Sequence, residues 1–328
     1  MSKLVTIFGG SGFVGRYIAR RMAKEGWRVR VAVRRPNEAM FVRPYGAVGQ
    51  VEPVLCNIRD DQSVRDVLSG ANAAVNCVGI LGEIRKNTFD AVQADGAARI
   101  ARIAAESGIE KFVHVSAIGA DETSDSDYAR TKSLGEQAVL DHMAGAMILR
   151  PSIIFGPEDQ FFNRFAGMSK LGPALPVVGA KTRFQPVYVD DVARAAVLGL
   201  TTEAFGIYEL GGPEIATFRE LMTRMLSEIR RRRLIVNVPF SAARLMGFGF
   251  DMLQTLSIGL FTNNMITRDQ VRNLARDNVV GSGAKSFEDL GITPTAMDVI
   301  LPEYLWRFRP SGQYDAIKES ARNLRSDS

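Results

Sequence analysis

The sequence predicts an α/β fold: a doubly wound parallel sheet with a smaller C-terminal lobe. Three observations predict it. Residues 3–16 form an apolar run that breaks into glycines and resumes at helical spacing. Short apolar runs then alternate with helical stretches as far as Leu149, the pattern of successive βαβ units. Beyond Pro151 that pattern stops, and prolines and glycines cluster between Gly156 and Gly179, as in the loops of an added lobe.

The opening run reads as a strand, a glycine turn and a helix start. Gly9, Gly12 and Gly15 stand three apart. In that order the first makes the tight turn, the second lets backbone approach a pyrophosphate, and the third lets helix pack on strand. The phosphates then face the free N–H groups and positive dipole end of the helix, which brings Phe13 and Val14 into the same site. Val14, Ile18 and Met22 give that helix its apolar stripe. The reading is a Rossmann-type, dinucleotide-binding first unit.

Val29–Val33, apolar except for Arg30, is the second strand. Ala73–Val78 and Phe112–Val115 follow with one polar interruption each, and Val51–Leu55 and Met147–Leu149 are weaker strands. Helices are expected over Gln62–Leu68, Phe89–Glu106 and Tyr128–His142. Residues 1–150 form the core, 151–310 a lobe interleaved with it and a docking region, and 311–328 a polar tail. A helix over Phe218–Ile229 precedes the basic run Arg230–Arg233 and an apolar stretch, Val236–Phe261. Arg244, Asp251 and Gln254 interrupt that stretch, and a bilayer span needs roughly 20 apolar residues in a row, so no transmembrane helix is expected.

Composition fits a globular domain: 328 residues, 46% hydrophobic and 23% charged, with a net charge of +5. Arginine supplies most of the positive charge, against nine lysines. No stripe of basic and aromatic residues suggests nucleic-acid binding. Cys56 and Cys77 have no close partner, which argues against a disulfide framework or metal site and for a reducing compartment. His114 and His142 leave little for histidine catalysis. The first strand begins within a few residues, so the chain reads as a bacterial-style start or a mature form.

An NAD-preferring site carries Asp or Glu at the end of the second strand. Arg34 and Arg35 stand there instead, and a guanidinium can hold a 2′-phosphate that a carboxylate would repel. Arg16, next to Gly15, can approach the same phosphate. NADPH is therefore the expected nucleotide. Tyr128 and Lys132, at i and i+4, share one helix face. An ammonium beside a phenol favours phenolate, so Lys132 is expected to lower the Tyr128 pKa from about 10.

With these motifs the chain resembles an extended short-chain dehydrogenase/reductase. More narrowly, it is similar to the NADPH-binding accessory subunit family of respiratory complex I. The carrying segments are residues 12–17, 128–132, 149–166, 184–193 and 269–280. The resemblance implies a tightly held NADPH, little or no turnover, and a role in stabilising the junction between the peripheral and membrane arms near the quinone site. It puts Asn57 and Ile58 beside the adenine and Val78 and Gly79 at the ribose region. Tyr128 and Lys132 then sit at the nicotinamide ribose, with Pro151 after the sixth strand. Where relatives that are enzymes place a catalytic serine, this chain has Ile118, with Ser116 two residues earlier as the substitute. Without a hydroxyl donor, Tyr128 and Lys132 are vestigial and no catalytic residue is expected. A lost oxyanion donor can cost about 10²–10³ in rate.

Further expectations concern partners. Asp190 and Asp191 read as a helix cap. Arg230–Arg233 with residues 236–261 suit anionic lipid or a partner subunit, the alternative being that Leu245, Met246, Phe248, Phe250, Met252 and Leu253 close the small lobe over the cofactor. The implied partners are other complex I subunits, and the implied place is the cytoplasmic face of a bacterial inner membrane, or the matrix side in a mitochondrion. The alternatives are an active NADPH-dependent reductase or epimerase using Tyr128 and Lys132, and a soluble sensor of the NADPH/NADP ratio.

Overall fold

The computed structural model describes residues 2–84, 86–245, 267–310 and 312. Seven strands form one all-parallel sheet. They are β1 (Leu4–Phe8), β2 (Arg28–Val33), β3 (Val51–Leu55), β4 (Ala73–Asn76), β5 (Lys111–Val115), β6 (Met147–Pro151) and β7 (Gly206–Leu210). Their order is β7-β6-β5-β4-β1-β2-β3. The chain winds outward from β1 to β3, then returns to β4 and winds the other way. A crevice therefore opens beyond the carboxyl ends of β1 and β4, where ligands of such sheets sit. Parallel strands are covered on both faces and so are nearly all apolar. All five β1 residues are buried, and the one polar member, Thr6, donates its hydroxyl to the Val67 carbonyl at 2.7 Å.

Helices α1 (Phe13–Lys24) and α6 (Val189–Thr201) cover one face. Ile18, Met22, Val192 and Ala196 pack there against Val5, Ile7 and Val31. Helices α2 (Asp61–Leu68), α3 (Asp95–Glu106) and α4 (Asp127–His142) cover the other. There Val64, Ile100 and Val139 join Phe8, Phe112 and Ile148. The helix expected from Phe89 is split, because a π turn over Asp90–Ala94 precedes α3. The fourth strand ends at Asn76, two residues short of its expected end.

The expectation that Asp190 and Asp191 cap a helix with an acidic first turn is met in part. Tyr188 holds the N-cap position of α6, without a side-chain cap bond, and both aspartates lie inside the first turn. Their carboxylates face the positive dipole end but bond distant partners. Arg21 grips Asp190 through two bonds, at 2.7 and 2.5 Å, tying α1 to α6. Asp191 accepts the Thr295 N–H at 2.6 Å.

A third core belongs to the lobe. Helices α5 (Phe162–Met168), α7 (Phe218–Glu228) and α9 (Met297–Leu305) enclose it. Phe161 stacks on Phe218 at 5.4 Å between centroids, with Phe155, Phe162, Phe165 and Phe184 packed edge-on or tilted around them. The hydroxyl of Tyr304 donates to the buried Asp159 at 2.5 Å. After α7 the arginine run turns sharply, with Arg230 in the left-handed region at φ 53°. Arg231 donates to the Phe308 carbonyl at 3.0 Å and Arg233 to that of Ser169 at 2.7 Å. Two of the four arginines are thus ties within the lobe. Among the described residues no helix is long and apolar enough to cross a membrane. Residues 246–261 of the apolar stretch and most of the expected polar tail lie outside the described residues.

Candidate dinucleotide site

The glycine turn has the geometry that its chemistry needs. Gly9 sits in the left-handed region at φ +72°, and its carbonyl accepts the Gly12 N–H at 2.9 Å. A Cβ on Gly15 would lie 2.4 Å from the Gly9 carbonyl oxygen, so only glycine lets α1 begin this close to β1. Gly12 is the N-cap and offers no side chain, and no acidic residue occupies the first turn of α1. The N–H groups of that turn are left for an incoming anion. A cavity of about 270 Å³ opens in front of them, lined by Gly9, Gly12, Phe13, Val14, Gly15, Cys77, Gly79, Ile80, Leu81, Val115 and Tyr128. The cradle that a Cβ would fill, and the open N–H groups beside it, fit a dinucleotide pyrophosphate.

Seven of the sequence-identified residues meet at this cavity: Gly9, Gly12, Phe13, Val14, Gly15, Gly79 and Tyr128. Lys132 adjoins it, since a Cβ on Gly79 would sit 3.3 Å from its Nζ. Val78 packs against Gly9, and its N–H donates to Asn76 Oδ1 at 3.0 Å. The remaining residues stand apart. Asn57 is exposed and its Oδ1 accepts the Arg59 N–H at 3.2 Å. Ile58 packs against Gly96 of α3. Pro151 is buried at the end of β6, its carbonyl taking the Ile118 N–H at 3.1 Å. Ser116 is 4% exposed, its hydroxyl has no hydrogen-bond partner among the described residues, and it is not among the residues that line the cavity.

The arginines divide. Arg34 is exposed and makes no ion pair or hydrogen bond among the described residues. Arg35 pairs with Glu38 at 3.0 Å. Arg16 folds back over the turn, donating to the carbonyls of Gly12 and Ser11 at 3.2 and 3.1 Å. Its guanidinium lies over the Phe41 ring and 3.5 Å from Glu158.

The expected effect of Lys132 on Tyr128 is overturned. Burial pushes the Tyr128 phenol up to about 12, and the negative charge of Asp269 adds to the rise. The Lys132 ammonium, 5% exposed, donates to the Val115 carbonyl at 3.1 Å. Burial lowers its pKa to about 8 against the opposing pull of Glu136 and Cys77. Desolvation therefore dominates, and the phenol stays protonated across the neutral range.

Two residues that sequence reasoning missed frame the cavity from far along the chain. Helix α8 (Arg268–Asn273) lays the Asp269 carboxylate on the start of α4. It accepts from Ser126 Oγ at 2.9 Å, the Asp127 N–H at 2.8 Å and the Tyr128 N–H at 3.3 Å. Gln270 donates to the Leu81 carbonyl at 3.2 Å. A capping partner some 140 positions away leaves no local signal.

His114 lies behind the cavity, 1% exposed on β5, with Nδ1 3.2 Å from the Asn76 amide. Burial drives its pKa down to about 3, with the Lys132 charge adding to the fall. The unfolded chain takes up this proton near pH 6.5 and the folded chain does not. Stability therefore falls as pH drops below about 6.5, by up to about 1.4 kcal/mol per pH unit from this group. Urea denaturation across that range is expected to show a flatter acid limb for His114→Gln. An unchanged slope would show that water reaches the imidazole.

A parallel seven-stranded sheet with this glycine turn and a Tyr-x-x-x-Lys helix defines the extended short-chain dehydrogenase/reductase class. The chain belongs to the NAD dependent epimerase/dehydratase family, whose model matches residues 5–211. Within it, the chain is 34% identical over 316 residues to the mitochondrial NADH dehydrogenase (ubiquinone) 1 alpha subcomplex subunit 9 of Arabidopsis thaliana, covering 94% of this chain and 79% of that protein. It is 33% identical over 207 residues to the ceramide reductase of Caulobacter vibrioides, covering 63% of this chain and 64% of the other. The crystal structure of the Bordetella bronchiseptica enzyme WbmH in complex with NAD+ shares the fold, with a TM-score of 0.62, 17% identity, and 73% of this chain and 87% of that one covered.

Proposed function

We propose that the chain is an accessory subunit of respiratory complex I that holds NADPH as a structural, non-catalytic cofactor. In this role it stabilises the junction of the peripheral and membrane arms near the quinone site. The observation that carries the reading is the likeness over 94% of the chain to a protein named as a subunit of NADH dehydrogenase. Its partners are then the other complex I subunits. Its place is peripheral, on the cytoplasmic face of a bacterial inner membrane or the matrix side of a mitochondrial one. Arg232, exposed on its turn, is the residue of the basic run best placed for anionic lipid.

The same proposal assigns the residues. The first turn of α1 takes the pyrophosphate, and Arg34 takes the 2′-phosphate, joined by Arg16 if it exchanges Glu158 for the ligand. Asn57 and Ile58 flank the adenine, Val78 and Gly79 the ribose region, and Lys132 the nicotinamide ribose, with Ser116 and Pro151 as the wall behind. Bound NADPH supplies a hydride donor. Tyr128, protonated and with Ile118 where enzymes of the class place a serine, gives that donor little chemistry to serve.

Arg34→Glu is expected to weaken NADPH binding by about tenfold or more while leaving NADH binding nearly unchanged, since one charge-assisted pair is lost. Fluorescence titration with both nucleotides checks it. Equal losses for the two would remove Arg34 from the 2′-phosphate site.

The reading as a whole is tested by solubilising native membranes gently, recovering the chain with its companions and measuring bound nucleotide in the same sample. Complex I subunits and NADPH in matching amounts are the expected result. The ceramide reductase relative favours a second reading, an active NADPH-dependent reductase. Stoichiometric NADPH loss with a carbonyl substrate would establish it and sink the structural role.

A further inference from the structure

In the lobe, the strands Ala174–Val178 and Leu234–Val238 form a two-stranded parallel sheet, in register from Leu234 on Ala174 to Val238 on Val178. Side chains alternate between its faces. Leu175, Val177 and Ile235 belong to the lobe's core, and Asn237 Oδ1 accepts the Ala180 N–H at 3.1 Å. The opposite face carries Ala174, Pro176, Val178, Leu234, Val236 and Val238, and every one of them is apolar. Leu234 is 70% and Val236 40% exposed, with Ala174 and Pro176 exposed beside them. Leu171, just ahead of the first strand, is 88% exposed. Among the described residues this face lies open to water.

Parallel strands are ordinarily covered on both faces, and a contiguous apolar surface in water marks an interaction site. Strand addition is hindered at both edges. Pro176 has no N–H to give an added strand, and Arg219 already donates to the Ile235 carbonyl at 3.3 Å. What remains is a layer laid on the face, as a helix is laid on a sheet. The face runs about 13 Å along the strands, from the rise per residue of a strand, a length of about two and a half helical turns.

Charge selects the kind of helix. The chain has no Asp or Glu between Asp159 and Asp190, nor between Glu228 and Asp251, the two stretches that supply these strands. Lys170, Lys181 and Arg232 are exposed in them, Lys170 with its ammonium over the Phe308 ring. An acidic partner therefore meets cations and no carboxylate from either stretch. A bilayer suits the face less well, because it carries no Trp or Tyr to sit at headgroup level. Arg232 serves a carboxylate as readily as a headgroup, so the apolar face decides the class of occupant.

We propose that this face docks an amphipathic, acidic helix of a partner protein. Its apolar residues, at i, i+3, i+4 and i+7, lie on Leu234, Val236 and Pro176, and its carboxylates face Lys170, Lys181 and Arg232. None of these residues lines the dinucleotide cavity, so the surface is independent of the nucleotide. Under the complex I reading the partner is another subunit.

The test places the photoreactive residue p-benzoylphenylalanine at Val236 of the full chain, or at Val48, which is fully exposed in the other part of the molecule, as the control. Intact cells are illuminated and the cross-linked peptide is sequenced by mass spectrometry. The expected product joins Val236, and not Val48, to a helical stretch of another protein with that apolar spacing and with Asp or Glu beside it. Leu234→Glu should lower its yield by at least about tenfold, since a carboxylate replaces a buried apolar contact. Nucleotide content and melting temperature should not change, because the side chain is exposed. Should Leu234→Glu fail to accumulate, Leu234→Ser makes the same comparison. Cross-links to lipid, to this chain's own residues or to a second copy would overturn the proposal. So would a partner stretch without carboxylates, a yield no higher than at Val48, or a yield that Leu234→Glu leaves unchanged. A cross-linked acidic helix from a protein outside complex I would keep the docking surface and sink the complex I reading. Complex I subunits recovered with the chain, but no such cross-link, would do the reverse.

Discussion

Gly15→Ala is expected to yield a folded but nucleotide-free protein. The added methyl would stand 2.4 Å from the Gly9 carbonyl oxygen, 2.7 Å from Gly10 Cα and 3.0 Å from the Gly9 carbonyl carbon. All three are backbone atoms, so no flexible side chain can yield. Either α1 backs away from β1 or the turn opens, and both carry the first-turn N–H groups off the pyrophosphate position. Overpacking of this kind costs about 1–3 kcal/mol in stability. A displacement approaching an ångström is enough to lose affinity on the order of 100-fold. Gly12→Ala makes the contrast, because its Cβ meets only the Gly9 carbonyl oxygen, at 3.1 Å, and a few tenths of an ångström relieve it. Acid release and quantitation of nucleotide per purified chain separates the two variants. Full nucleotide content in Gly15→Ala would show that the phosphates bind elsewhere.

Arg150→Met is expected to be the most destabilising of the charge removals. Arg150 reaches from β6 to α4 and holds Glu136 through three contacts, at 3.0, 3.1 and 2.6 Å. Glu209 of β7 lies 3.6 Å away on its other side. Glu136 is only 3% exposed, so loss of the guanidinium strands a carboxylate in the interior. Breaking a buried pair from one side costs about 3–5 kcal/mol, whereas replacing both members with apolar groups is often neutral. The melting temperature should fall by roughly 10 °C for a chain of this size, and the double variant Arg150→Met/Glu136→Met should recover most of it. A loss below about 1 kcal/mol in the single variant would mean that water already solvates the pair. Lys132 stands one turn before Glu136 on the same helix, so the pair also steadies the face that meets the cavity.

The parts of the fold that local pattern controls were legible in the sequence. β3 begins and ends at the expected residues, and α2, α4 and α7 start or stop within one residue of expectation, because strand runs and amphipathic stripes are local signals. The glycine turn was legible in its sterics, since the positive φ of Gly9 and the close backbone approach at Gly15 are what glycine alone accommodates. What was missed depended on distant partners. Asp190 and Asp191 look like caps in isolation, and only folding brings Arg21 and Thr295 to them. Tyr128 and Lys132 at i, i+4 suggest a depressed phenol pKa, but burial of both groups reverses the sign. Asp269 and Gln270 act across a gap of more than a hundred residues, and the periodicity of their own segment says nothing of it. Residues 206–210 were not anticipated as a strand, because Gly-Ile-Tyr-Glu-Leu becomes one only beside β6.

That seventh strand bears on how the chain comes to be made. β7 pairs with β6 over its whole length, from Gly206 on Met147 to Leu210 on Pro151, so β6 has no outer neighbour until residue 210 has left the ribosome. Through the synthesis of some sixty residues the nascent sheet presents β6 as an open parallel edge, the kind of surface on which strands of other chains add. Closing it also requires a contact of long sequence separation, which slows folding. A protease or a premature stop acting in that interval would release a fragment with the whole glycine turn and an unguarded edge, prone to self-association.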